Sequence, residues 1–185
     1  MRILGVMTMS MIAAATACAG EGVPSPVRRV TVCTAKGVDF ERAQFIATRM
    51  FAGIGVRIAW HSERLCPSDA IRISLSYRTD RGFMPEALAY ALPYEGIHIV
   101  VFYDRLHQCA QPNRLPDLLA HVMVHEITHI LEGVNRHSES GVMKAHWTVR
   151  DLSEMTFQPL PFTKMDVELI HNGLDSRESY LASLR

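Results

Sequence analysis

The stretch from Pro116 to Gly133 constrains this chain more than any other part of it. Leu118, Leu119, Val122, Ile127, Ile130 and Leu131 recur at helical spacing, Pro116 is a favoured first-turn residue, and Gly133 is a natural stop. Inside this predicted helix stands His125-Glu126-Ile127-Thr128-His129. Residues four apart on a helix share one face, one turn above the other, so the two imidazoles can point at one metal ion. Glu126 projects to the side of the pair, where its carboxylate can reach a water held at the ion. Imidazole nitrogen suits zinc, and zinc lowers the pKa of water toward about 7, within reach of a carboxylate base. From the chain's own His and Glu content, this five-residue pattern arises by chance with a probability of roughly 2–3%. Reading both histidines as ordinary half-buried side chains would leave Glu126 unexplained.

A catalytic zinc site takes three protein ligands and keeps a fourth position open. His137 lies eight residues beyond His129, within reach of a loop returning from Gly133, and Ser138-Glu139-Ser140-Gly141-Val142-Met143 follows at once. Glu154 or Glu168 from a later helix could serve instead, as could Glu139, but His137 is nearer and offers the better-matched nitrogen. Residues 125–143, HEITHILEGVNRHSESGVM, resemble a zincin metallopeptidase of the metzincin-like kind. In the metzincin pattern a Gly stands three residues, and a His six residues, after the second helix His. Here Gly133 stands at four and His137 at eight, and Asn135, a poor zinc ligand, occupies the usual place of the third His.

The resemblance implies one zinc ion on His125, His129 and His137, Glu126 as general base, and Met143 as an apolar floor beneath the site. It implies an α/β fold of the α+β type, zincin-like, with a mixed twisted sheet, an active-site helix and a short C-terminal subdomain. The activity implied is hydrolysis of a peptide or protein substrate, bound as an added strand beside the helix. The alternative is a non-catalytic secreted domain that keeps zinc, or only the fold, for structure.

The remaining chain supports that order of elements. Val27–Cys33, Val56–Trp60 and Ala70–Tyr77 alternate as strands, and Asp39–Phe51 has helical spacing. Ala87–Leu92, between two prolines, reads as a short edge strand and a candidate substrate platform. Ile97–Tyr103 reads as a strongly apolar central strand, Gln108–Arg114 as a polar loop, and Thr163 to about Asn172 as a helix capped by Thr163. Asp104 and Arg105 could pair to fix the loop before the long helix, but read first as a solvated turn. His121 lies on the same helix stripe as His125, one turn too far away to share its metal. His146 and Trp147 could line a specificity pocket or pack the C-terminal segment. His61, His98, His107 and His171 read as structural.

Composition excludes other classes. Of 185 residues 48% are hydrophobic, and 19 Lys+Arg balance 19 Asp+Glu, so the chain has neither a disordered composition nor the clustered positive charge that phosphate binding needs. Ile3–Ala17 after Arg2 is an apolar run of signal-peptide length, and Ala17-Cys18-Ala19 fits a cleavage site. We therefore expect residues 1–19 as a signal peptide, 20–26 as a flexible lead-in, 27–185 as one catalytic domain, and an exported protein. Ala15-Thr16-Ala17-Cys18 also resembles a lipobox, which would place a lipid anchor on Cys18. No later stretch is apolar for about 18 residues, so no transmembrane helix is expected. Export leaves Cys33, Cys66 and Cys109 for one disulfide and one free thiol, with the pairing open.

Overall fold

A computed structural model describes residues 27–35 and 38–183 of the chain. The expected signal peptide, the lead-in and Cys18 lie outside those residues. The elements run β1 (Arg28–Thr34), α1 (Val38–Ala52), β2 (Val56–Ser62), β3 (Ile71–Ser76), β4 (Ala89–Ala91), β5 (His98–Phe102), α2 (Tyr103–Cys109), α3 (Leu115–Glu132), α4 (Val149–Glu154) and α5 (Lys164–Ser183).

The strands form one mixed sheet in the order β2-β1-β3-β5-β4. β1 pairs in parallel with β2 on one side and β3 on the other, and β3 pairs in parallel with β5. Parallel neighbours need a crossover, which α1 supplies between β1 and β2. β4 alone runs antiparallel, joined to β5 by a short turn, and ends the sheet. The apolar run of β5 is therefore interior but not central. β3 holds the middle, and β5 is apolar because it lies between β3 and β4 and touches α3.

α3 is the axis of the molecule. It touches β3, β4, β5, α1, α2 and α5, and all eighteen of its residues are buried. Its apolar residues accordingly cover the helix on all sides, as a helix buried in a core requires. α5 crosses it so closely that a Cβ on Gly173 would stand 1.7 Å from the Leu131 carbonyl oxygen. Glycine is what permits that crossing. α3 ends at Gly133, whose φ of 69° is left-handed and whose N–H caps the His129 carbonyl.

Three expectations need correction. Tyr103–Cys109 is a helix, α2, where a strand end and a loop were expected. Asp104 and Arg105 do not pair and do not form a solvated turn. Asp104 accepts from the backbone and hydroxyl of Thr79, and Arg105 donates to the Ala87 carbonyl while stacking on Phe102. Both therefore tie the long β3–β4 connection to α2. The C-terminal helix runs eleven residues past Asn172, to Ser183, and α4 was not foreseen. Cys33 and Cys66 form the disulfide, and Cys109 is free and exposed. No helix among the described residues is long and apolar enough to cross a membrane.

Candidate metal centre

Burying every residue of α3 also buries seven polar side chains: Asp117, His121, His125, Glu126, Thr128, His129 and Glu132. Each must find a partner or cost stability. Asp117 takes Arg42, Thr128 donates back to the Val124 carbonyl, and Glu132 takes Arg136. His121 bonds the Asp117 carbonyl through Nδ1 and accepts from the Leu160 N–H through Nε2. Both its nitrogens are spent on pinning the C-terminal segment to α3, so it is a structural residue, as its distance from the metal pair implied.

His125 and His129 are satisfied at only one end. The Nδ1 of His125 lies 2.9 Å from the Val142 carbonyl, and that of His129 lies 3.3 Å from the Val134 carbonyl. A carbonyl only accepts, so each Nδ1 carries its proton, and each neutral ring turns a bare Nε2 lone pair inward. The two Nε2 atoms stand 3.1 Å apart. Two lone pairs at that distance repel unless a cation lies between them. Two nitrogens on one tetrahedral zinc, with bonds of about 2.0–2.1 Å, would stand roughly 3.3 Å apart. His137 completes the group: one ligand atom from each of the three rings lies within 4.8 Å of the others. Its ring centroid is 5.2 Å from that of His125 and 5.0 Å from that of His129. The donor set therefore fits a zinc ion.

The protonation states agree. Burial, with repulsion from neighbouring rings, holds His125 down to about 4 and His129 down to about 3, and burial also lowers His137. All three rings are then neutral ligands at ordinary pH. Among the described residues Glu126 is the one buried polar side chain of α3 without a hydrogen-bond partner, and burial alone pushes its carboxyl up to about 8. It faces a cleft of about 590 Å³ that is also lined by His125, His129 and His137. A dication beside Glu126 would favour its charged form.

Ala87–Ala91, which includes β4, also lines the cleft, as do Lys144–Trp147 and Leu152. His146 and Trp147 thus both line the cleft, and Trp147 stands edge-on to His125 with centroids 5.6 Å apart. Met143 is fully buried behind the turn whose Val142 carbonyl holds His125. Glu139, Glu154 and Glu168 are not part of the histidine cluster, and Glu139 is exposed. Asn135, Cys109 and Lys144 also line the cleft, and the sequence carried no signal for them beyond the metzincin alignment of Asn135.

No protein-family model matches the sequence, and no curated protein does. Among solved structures the chain is similar to archaemetzincin from Methanopyrus kandleri, with a TM-score of 0.59 at 14% identity, over 83% of this chain and 99% of that one. At that identity the likeness concerns architecture. The mixed five-stranded sheet with its helices is a zincin fold of the archaemetzincin kind.

Proposed function

We propose that the chain is an exported, zinc-dependent metallopeptidase. The observation that carries this reading is the convergence of His125, His129 and His137 in the wall of a cleft, with the unpartnered carboxylate of Glu126 beside them. The three imidazoles would hold one zinc ion. Bound zinc supplies Lewis-acid chemistry, polarising a carbonyl and acidifying a water. Glu126 is the base: it takes the proton of the attacking water and passes it to the leaving amine nitrogen. The Val142 and Val134 carbonyls fix the tautomers that make His125 and His129 donors. Met143 packs the floor. Among the described residues β4 is an edge strand, and in this reading its free edge receives an extended peptide as an additional strand. The Cys33–Cys66 disulfide supports an oxidising compartment, in keeping with the apolar N-terminal run.

The test has two parts. The natively produced protein should carry one zinc per chain and cut a peptide library, and its mature mass should begin at Gly20. Glu126→Gln should keep the zinc and lose at least about 10²-fold in turnover, the lower end of what a general base contributes. Equal rates for variant and wild type would refute the mechanism. Zinc without cleavage would support the non-catalytic alternative, and absence of zinc would remove both zinc readings and leave a domain that keeps only the fold.

A further inference from the structure

His137 differs from its two partners in what holds it. His125 and His129 are gripped by α3 and by a carbonyl on Nδ1, whereas the ring of His137 has no hydrogen-bond partner among the described residues. Its position therefore depends on its backbone, in a stretch with no helix and only one isolated bridge, Ser138 to Lys144.

We propose that Asp166, in the first turn of α5, is a positioning residue for the metal centre, clamping the chain on both sides of His137. Asp166 is fully buried. One carboxylate oxygen, Oδ1, accepts from Arg136 Nη1 at 2.9 Å and from Ser138 Oγ at 2.5 Å. Arg136 Nη2 also donates to Ser138 Oγ at 2.8 Å, closing a triangle around residues 136 and 138. The other oxygen, Oδ2, accepts from the Thr163 N–H at 2.7 Å, and the Asp166 N–H donates to Thr163 Oγ1. The residue thus has two roles, one per oxygen. Oδ2 caps α5, and Oδ1 anchors the His137 loop to that capped end. Burial works against the charge of Asp166, but the Ser138 hydroxyl, Arg136 and Thr163 outweigh it and hold the carboxyl below its usual value. Ser138 further donates its N–H to the Met143 carbonyl at 2.7 Å, and next to Met143 is the Val142 carbonyl that orients His125. Through Ser138 the clamp reaches the turn that supports a second ligand.

The proposal rests on the metallopeptidase reading for what His137 holds. It is tested by separating the two roles of Asp166 in the full-length protein. Asp166→Asn should raise the zinc dissociation constant, measured by chelator competition, by up to roughly 10-fold, the low end of the range for direct hydrogen-bond partners of a ligand, since Asp166 acts through Arg136 and Ser138. It should also alter the visible absorption of the cobalt-substituted protein, which reports ligand number and geometry. Thr163→Ala removes the hydroxyl half of the helix cap but leaves Oδ1 alone, so it should lower the melting temperature without moving zinc affinity or the cobalt spectrum. Ser138→Ala deletes two bonds at the loop itself, the one to Asp166 and the one from Arg136, and should weaken zinc with the fold intact. Wild-type affinity and spectrum in Asp166→Asn would overturn the proposal, as would a Thr163→Ala effect on zinc equal to that of Asp166→Asn. If Asp166→Asn does not fold, Ser138→Ala decides, and unchanged affinity there overturns it. A wild-type protein that binds no metal sinks the metallopeptidase reading, whereas zinc bound equally by wild type and variant sinks only the clamp.

Discussion

Two of the three imidazoles ride on α3 and the third on the loop after Gly133, and the two regions place their rings by different means. α3 uses helical periodicity: residues four apart are superposed whatever the rest of the chain does, and the core around the helix then fixes it. The loop has no such internal rule. Residues 134–143 are tied down from outside, by the Pro161 carbonyl on the Val142 N–H and by the Asp166 carboxylate on Arg136 and Ser138, and carry within them one backbone bond, from Ser138 to Met143. A metal site can thus be part local geometry and part distant anchorage. The local part fails only when the core fails, and the distant part can fail alone.

Glycines probe that difference, because each region depends on one. Gly173→Ala strikes the rod. The new Cβ would lie 1.7 Å from the Leu131 carbonyl oxygen and 2.9 Å from its carbon, so α5 must lift off α3. We expect about 3 kcal/mol or more of lost stability, measured by urea or thermal unfolding of the metal-free protein. Gly141→Ala strikes the loop. Gly141 has a φ of 75°, and a Cβ there would meet the Pro161 carbonyl oxygen at 2.1 Å. Strain of about 2–3 kcal/mol is expected, and its first sign should be weakened zinc, because the displaced turn carries the carbonyl that orients His125. If Gly141→Ala unfolds the protein without first weakening the metal, the loop is part of the core and the contrast fails.

Gly133→Ala sits at the junction. Its φ of 69° is left-handed, yet a Cβ would meet nothing within 4 Å. The cost should be that of the backbone conformation alone, roughly 1–2 kcal/mol, or a few degrees in melting temperature per kcal/mol. A much larger loss would mean that the path of the loop is set at its first residue rather than at Pro161 and Asp166.

The same division decides what could be read from the sequence. The rod was legible to within a residue or two, from Pro116, the apolar spacing and Gly133, and so were the two histidines and Glu126 on it. His137 was reachable by its type and nearness, although its spacing departs from the metzincin pattern. The strands that alternate were legible, but the rank of β5 in the sheet was not, since an apolar run reads alike in any interior strand. α2 was hidden because Tyr103 continues the apolar run of β5 and the helix is only seven residues long. The end of α5 was hidden because Asp175-Ser176-Arg177-Glu178-Ser179 has no apolar stripe. Thr163 and Asp166 do carry the spacing of a capping box, but no local pattern shows that the second oxygen reaches back to residues 136 and 138. The pairing of Cys33 with Cys66 is long-range in the same way.

The effect that appears only as a function of pH lies where rod and loop share one cation. Arg136 donates to Glu132, the last residue of α3, and to Asp166 on α5. Burial pushes Glu132 up to about 7 despite Arg136, with Asp166 adding to the rise, whereas Asp166 is held below its usual 3.8. The signs are opposite. Asp166 contributes stability that is present above pH 3.8 and lost as pH falls through its lower folded-state value. Glu132 favours the folded state when protonated, so its contribution is complete below 4.5 and is lost as pH rises from there to about 7. Glu132→Gln cannot titrate and escapes that second loss. Without metal, so that protons do not compete with an ion for the imidazoles, the stability of Glu132→Gln minus that of wild type should grow as pH rises from 4.5 to 8, by up to roughly 3 kcal/mol for the full shift. The other titrating groups are common to both proteins and largely cancel in the difference. A difference that stays flat across that window would mean that Arg136 keeps Glu132 ionised throughout and belongs to the rod more than to the loop, which would leave Asp166 to hold the loop through Ser138 alone.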